Sequence, residues 1–257
     1  MGKFYFTCSF DDGDISDLRL AELMRNYDIE GTFYIPQSCD QVNKSLSESE
    51  IRSLSSSVEI GGHTMSHQIL TYTTPDKARY EIQTCKKWLE DVIGKPVNSF
   101  CPPTGRFNKQ HIAFQKEAGF TAMRTVEMLA YKVRKIKNTD GFVELPTTSQ
   151  LYHHTKHAYV NKCLKRFNFT SYPVFNKLYN QSWTVMSTHY IGHIRGLCKR
   201  NDAAYYFHLW GHSWEIDKYS LWDSLELFFR NLNETEGIIF CNNSELAEIV
   251  TANGKDQ

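Results

Sequence analysis

Long apolar runs are missing: nowhere do the 257 residues approach the roughly 20 consecutive apolar side chains of a membrane span. No charged-then-apolar leader precedes the first motif either. Met1 to Phe10 already reads as a strand running into Asp11-Asp12-Gly13, so no cleavable signal peptide is expected. Cysteine is sparse and odd in number, seven in all, which speaks against a disulfide framework. Cys8 and Cys241 fall in apolar strand-like runs where a reduced, buried thiol is the ordinary state, and a cytoplasmic location is expected. Net charge is absent too, with 29 Lys+Arg against 29 Asp+Glu. Without a Gly-rich phosphate loop or a nucleic-acid motif, nucleic acid is not an expected partner. Internal repeats, low-complexity tracts and linkers are lacking, whereas 41% hydrophobic residues supply an ample core, so general disorder is excluded.

A further absence is local. From Leu151 to Arg200 there is no Asp or Glu, while eight cations, five of the ten histidines and many aromatics crowd into the same block. Such a stretch suits phosphates or anionic lipid headgroups, or else forms a solvated face neutralised by acids elsewhere. The whole chain, 1–257, reads as one catalytic-size domain with this basic and aromatic block, around 150–200, as an insertion.

Strand-like and helix-like segments alternate. Strands are expected at Lys3–Phe10, Gly31–Ile35, Val58–Ile60, Ser99–Cys101, Thr121–Arg124, Phe142–Leu145, Ala203–Leu209 and Gly237–Cys241. Helices are expected at Ile15–Tyr27, at Ser47–Ser55 with a Ser47/Glu50 capping box, from Thr74-Pro75 to Gly94, at Asn108–Ala118 and at Leu221–Asn231, with a last helix capped by Ser244. Repeated β-then-α units imply an α/β protein with a parallel sheet, and active residues should gather at the carboxyl ends of its strands.

Three clusters lie at such ends. Asp11 and Asp12 are adjacent carboxylates, costly together unless a cation lies beside them. In Gly61-Gly62-His63-Thr64-Met65-Ser66-His67 two histidines four apart can face one ion, with glycines that let the backbone approach closely. Asp12, His63 and His67 make a two-His, one-carboxylate set that leaves positions open for water. The third cluster runs from Tyr206 to Glu215. His208, Trp210 and His212 share one side of a strand, and a histidine at a strand end beside a metal is an acid–base candidate.

Together, Phe10-Asp11-Asp12-Gly13, His63-x-x-x-His67, Pro103-Thr104-Gly105 and His212-Ser-Trp-Glu215 resemble, in order, the motifs of the NodB-homology polysaccharide deacetylases, carbohydrate esterase family four. The resemblance implies a distorted (β/α) barrel of seven or eight parallel strands and one divalent metal, Zn2+ first, with Co, Ni, Fe or Mn also compatible. It implies removal of an acetyl group from an N-acetylated sugar; the cationic block, for its part, suits a nucleotide- or lipid-phosphate-linked substrate, the latter at the inner, anionic membrane face. The resemblance casts Asp11 as general base, Asp12, His63 and His67 as ligands, the Thr104 backbone N–H as oxyanion donor, and His212 as general acid. His208 is the competing match for the acid. Pro103, Trp210, Trp214 and Tyr72 are expected against the substrate. The family's usual arginine, which pairs with the base, is replaced here by Cys101; Arg106 and Arg124 are the two substitutes. Hydrolysis of a cyclic amide or ureide, and a catalytically impaired sugar-binding module, are the alternative readings.

Overall fold

The structure is a computed structural model that describes residues 3–152 and 181–254. Its centre is a ten-stranded sheet: β1 (Phe4–Asp11), β2 (Gly31–Ile35), β3 (Glu59–Gly62), β4 (Ser99–Phe100), β5 (Ala122–Arg124), β6 (Lys137–Thr139), β7 (Phe142–Leu145), β8 (Ser149–Gln150), β9 (Tyr205–His212) and β10 (Ile238–Phe240). The order is β6-β7-β5-β4-β3-β2-β1-β9-β8, with β10 beside the first half of β1. Every pairing is parallel except the β6–β7 hairpin. Only residues 146–148 separate β7, paired with β5, from β8, paired with β9, so the sheet curls back toward its start as a distorted (β/α) barrel.

Among the described residues there are eight helices, in chain order α1 (Asp17–Asn26), α2 (Glu48–Leu54), α3 (Pro75–Ile93), α4 (Lys109–Ala118), α5 (Trp183–Cys198), α6 (Ser213–Lys218), α7 (Trp222–Asn233) and α8 (Asn243–Gly254). Their boundaries have local causes. Ser47 and Glu50 form the expected capping box on α2. Thr74 caps α3 ahead of Pro75, and Gly94 ends it in the left-handed region. The last helix corrects one expectation: Asn242, not Ser244, forms its reciprocal cap with Glu245, while Ser244 turns its hydroxyl and N–H to Glu59.

Strand β1 is buried on both faces, as a central parallel strand must be. Phe4, Phe6, Cys8 and Phe10 pack outward with the helices, whereas Tyr5 belongs to a second cluster inside the barrel. The residues sharing Tyr5's face are Thr7, Ser9 and Asp11, so β1 sends a polar column up the interior. Strand β9 repeats the pattern, with Tyr205, Phe207 and Leu209 outward and Tyr206, His208, Trp210 and His212 inward. Leu246, Ala247 and Val250 of α8 join Tyr5 and Tyr206, closing the amino-terminal end of the barrel. The outer cluster holds Phe4, Phe6, Phe207, Phe228 and Phe229 almost fully buried, each contributing on the order of 1.5–3 kcal/mol.

Part of the acid-free block is integral to this core: Trp183, Met186, Tyr190, Ile191, Ile194 and Leu197 of α5 pack into the outer cluster. Five of the eight cations of this block, Lys156, Lys162, Lys165, Arg166 and Lys177, lie outside the described residues, whereas Arg195, Lys199 and Arg200 lie within them. Among the described residues no helix is long and apolar enough to cross a membrane.

Candidate functional site

Sheet register brings the motifs together. Asp11, the last residue of β1, pairs with Tyr34 of β2 on one side and His212 of β9 on the other. Gly62 pairs with Ile35 and with Phe100, which puts His63 and Cys101 on the same rim. Phe100 pairs with Met123, so the next residues along those strands, Cys101 and Arg124, are neighbours. The carboxyl ends of five strands thus line a cavity of about 330 Å³ walled by Asp11, Asp12, His63, His67, Arg124 and His212 among others.

Close packing under the rim explains the glycines. A Cβ on Gly61 would lie 2.5 Å from the Tyr34 ring, so only glycine lets β3 approach β2 there. Asp12, Thr64, His67 and Thr104 all adopt positive φ (83°, 67°, 50° and 57°), a left-handed conformation uncommon for non-glycine residues.

Asp12 Oδ1 lies 3.6 Å from His63 Nε2 and 3.2 Å from His67 Nε2. The three ligand atoms are within 4.8 Å of one another. His63 Nδ1 sits 2.6 Å from the Cys101 carbonyl oxygen, an acceptor, so that nitrogen carries the proton and Nε2 turns its lone pair to the carboxylate. The buried Oδ1 accepts no hydrogen bond in this arrangement. Electron-rich atoms facing one another in a dry pocket are costly without a positive charge between them, and two imidazoles with a carboxylate are a fitting donor set for a divalent cation. In the absence of a cation, protons answer the same need. Burial acts to lower the His67 pKa, yet the Asp12 carboxylate against its Nε2, with Cys39 beside it, raises it to about 10. Burial also opposes ionisation of Asp12, but the surrounding imidazoles hold that carboxyl far below the usual range. Asp12 Oδ2 accepts a 3.0 Å hydrogen bond from Trp214 Nε1, which fixes the carboxylate's orientation.

Of the two candidate arginines, one pairs with Asp11. Arg124, fully buried, donates from its guanidinium to Asp11 Oδ2. Arg106 is not the substitute: it is exposed and its guanidinium lies over the Tyr72 ring and bonds the Tyr72 hydroxyl. Sheet neighbourhood accounts for the difference, because Arg124 ends the strand beside Cys101 whereas Arg106 follows the Pro103–Gly105 turn outward. Asp11 Oδ1 stays without a hydrogen-bond partner among the described residues.

Of the two histidines on β9, only His212 reaches the cavity. His208 lies four residues deeper, about 13 Å along the strand, fully buried and 2.9 Å from the Ser9 hydroxyl. Burial, helped by the Arg124 charge, lowers its pKa to about 3, the state of a neutral core imidazole. His212 Nδ1 donates to Glu215 Oε2 at 2.7 Å, and Nε2 faces Asp12 Oδ2 at 3.8 Å. Burial lowers the His212 pKa, but Glu215, Asp12 and Asp11 outweigh it and hold the imidazole above its ordinary value.

Thr104, Trp210 and Trp214 line the cavity as expected. Pro103 does not: it is buried inside its turn, and Pro102 takes its place on the wall. Tyr72 is not a wall either; it is 70% exposed outside the cavity with Arg106. Sequence reasoning passed over Gln41, Val126, Met128 and Gln150 on the wall, and Glu81 beneath it. Glu81, buried on α3, accepts from the Met65 N–H at 2.8 Å, the Ser66 N–H at 2.9 Å and the Ser66 hydroxyl at 2.8 Å, clamping the loop between the two histidines. A buried-face acid in the first turns of α3 was the only available signal.

Comparison with known proteins agrees with this geometry. A family model described as polysaccharide deacetylase matches residues 2–123, the part that carries Asp11, Asp12, His63 and His67. A peptidoglycan-N-acetylglucosamine deacetylase of Bacillus cereus is 32% identical over 114 residues, which are 44% of this chain and 52% of that protein, so the match spans about half the length of this curated relative. A Mycobacterium smegmatis crystal structure of the polysaccharide deacetylase type shares the fold with a TM-score of 0.69 at 16% identity, over 98% of this chain and 92% of that one. A family 4 carbohydrate esterase from Streptomyces lividans, in complex with acetate, matches with a TM-score of 0.53 at 14% identity, over 92% and 91% of the two chains. The amino-terminal part of the chain, just under half of it, is similar to the polysaccharide deacetylase family, and the fold over nearly the whole chain is that of solved structures of this type.

Proposed function

We propose that the protein is a metal-dependent N-deacetylase of an acetamido sugar. The observation that carries this reading is the convergence of Asp12 Oδ1 with two imidazole nitrogens beside a second, arginine-paired carboxylate in one cavity. Asp12, His63 and His67 would hold the cation, and Zn2+ suits the donors, as do Co, Ni, Fe and Mn. When bound, such an ion lowers the pKa of a water and polarises a carbonyl.

The remaining work falls to the chain. Asp11 takes the proton of the attacking water on Oδ1, while Arg124 on Oδ2 holds the carboxylate's orientation. The Thr104 N–H, at the cavity wall, meets the developing oxyanion; a donor of this kind is typically worth about 3–4 kcal/mol. His212, held by Glu215 with Nε2 toward the cavity, hands a proton to the departing sugar nitrogen. Trp210 and Trp214 offer aromatic walls to a sugar ring. The free, buried thiols of Cys8, Cys85 and Cys101 suit a reducing, cytoplasmic setting, and that location is part of the same proposal.

The test is acetate release from a panel of acetamido sugars that are free, oligomeric, nucleotide-linked or lipid-phosphate-linked, with metal content measured in parallel. Release from at least one member that depends on added divalent metal and vanishes in Asp11→Asn supports the reading. Release that survives Asp11→Asn removes Asp11 as the base.

A further inference from the structure

The replacement of the usual arginine by Cys101 does more than vacate a position. The Cys101 Sγ, a ring nitrogen of His63 and a carboxylate oxygen of Asp11 all lie within 4.8 Å of one another. These three side chains are at most 4% exposed. The thiol donates weakly to Asp11 Oδ2 at 3.9 Å and to the Pro102 carbonyl at 3.6 Å, while Asp11 Oδ1 has no hydrogen-bond partner among the described residues. One sulfur, one nitrogen and one oxygen donor converge there, a softer set than Asp12, His63 and His67 offer.

We infer that the cavity contains a second cation seat, made by Asp11, His63 and Cys101, which takes a soft, thiophilic divalent ion and excludes an ion from the Asp12 seat. Exclusion follows from His63, which belongs to both sets. Binding exchanges the S–H bond for a sulfur–metal bond, and the thiol proton leaves to solvent with no change of oxidation state. The same ion sits on Asp11, so the site would arrest proton transfer by that residue. Only this last consequence rests on the proposed function; the binding does not.

Cadmium is the probe, added to the full-length protein after removal of metal by a chelator. The expected result is an ultraviolet thiolate-to-cadmium band that saturates at one equivalent. Cys101→Ser should abolish the band and weaken cadmium binding by at least about tenfold, as loss of a direct ligand should exceed loss of an outer partner. Asp12→Asn and Cys39→Ser, the latter removing the thiol beside His67, should keep the band. One equivalent of zinc added first should suppress it. Absence of the band from the unaltered protein, its survival in Cys101→Ser, its loss in Cys39→Ser, or its full formation beside bound zinc would each overturn the inference. Cadmium NMR of the unaltered protein covers the case in which Cys101→Ser does not fold: a resonance of a single-sulfur site supports the seat, and one of nitrogen and oxygen ligands alone overturns it. Acetate release is not a readout, so failure of the hydrolase reading and failure of this seat are separately visible.

Discussion

Arg124 reaches Asp11 from the strand next to the one where the family resemblance places its arginine, and the small Cys101 side chain leaves room for the guanidinium. A buried ion pair broken on one side leaves an uncompensated charge, a loss of roughly 3–5 kcal/mol. Arg124→Ala is therefore expected to lower stability by about that much and to cut kcat/KM at least about a hundredfold, in keeping with general-base contributions of 10²–10⁴. The double replacement Cys101→Arg with Arg124→Cys should recover part of both losses, since a guanidinium returns to the same carboxylate; denaturant melts and acetate release on the three variants check it. His208 supplies the pH dependence. Its pKa is about 3 in the fold against an ordinary value of 6.5, so it stays neutral where the unfolded chain binds a proton. Its share of stability is intact above pH 6.5 and declines as pH falls from there toward 3, by at most about 1.4 kcal/mol per unit. His208→Asn should flatten that decline relative to the unaltered protein in urea melts over the same window.

At the scale of elements, the site depends on a loop held from behind. Glu81 on α3 takes three hydrogen bonds from Met65 and Ser66, and the histidines on either side inherit their spacing from that clamp. Glu81→Leu should keep the helix but weaken divalent metal binding by about 10–100-fold, measured by calorimetry, as removal of outer-shell support does elsewhere. Glu81→Gln should retain more of the binding, because its amide oxygen still accepts. These examples show what could be read in advance. Asp12, His63 and His67 declared themselves because a carboxylate pair and a His-x-x-x-His pair are local patterns at strand ends. The choice of Arg124 over Arg106 and of His212 over His208 depended on sheet register and depth, which residue order does not encode. The Glu81 clamp and the Trp214 bond to Asp12 join positions far apart in the chain, with no local pattern to announce them. The short helix α6 was missed because six residues following a strand carry too little periodicity, and β9 runs on to His212 where an earlier end was expected. The wall positions of Pro103 and Tyr72 failed for a related reason: the turn at Pro103–Gly105 buries one and directs its following arginine onto the other.

For the molecule as a whole, the curled sheet brings the rims of β1, β3, β4, β5 and β9 into one ring, while α8 closes the opposite end. The last helix is tied in by Glu59 of β3, whose carboxylate accepts from the N–H groups of Asn243 at 3.1 Å and Ser244 at 3.2 Å and from the Ser99 hydroxyl at 2.9 Å. A ligand that binds only the folded chain stabilises it by mass action, so one divalent ion at 100 times its Kd should add about 2.7 kcal/mol. A chelator should lower Tm accordingly, and Zn2+ should restore it. The most direct trial of the central claim combines metal analysis with acetate release on four proteins: unaltered, Asp12→Asn, His67→Gln and Asp11→Asn. The expected outcome is one divalent ion per chain and acetate from an acetamido sugar in the unaltered protein, loss of both in the two ligand variants, and metal without acetate in Asp11→Asn. Metal retained in full by Asp12→Asn and His67→Gln together with undiminished acetate release would contradict it.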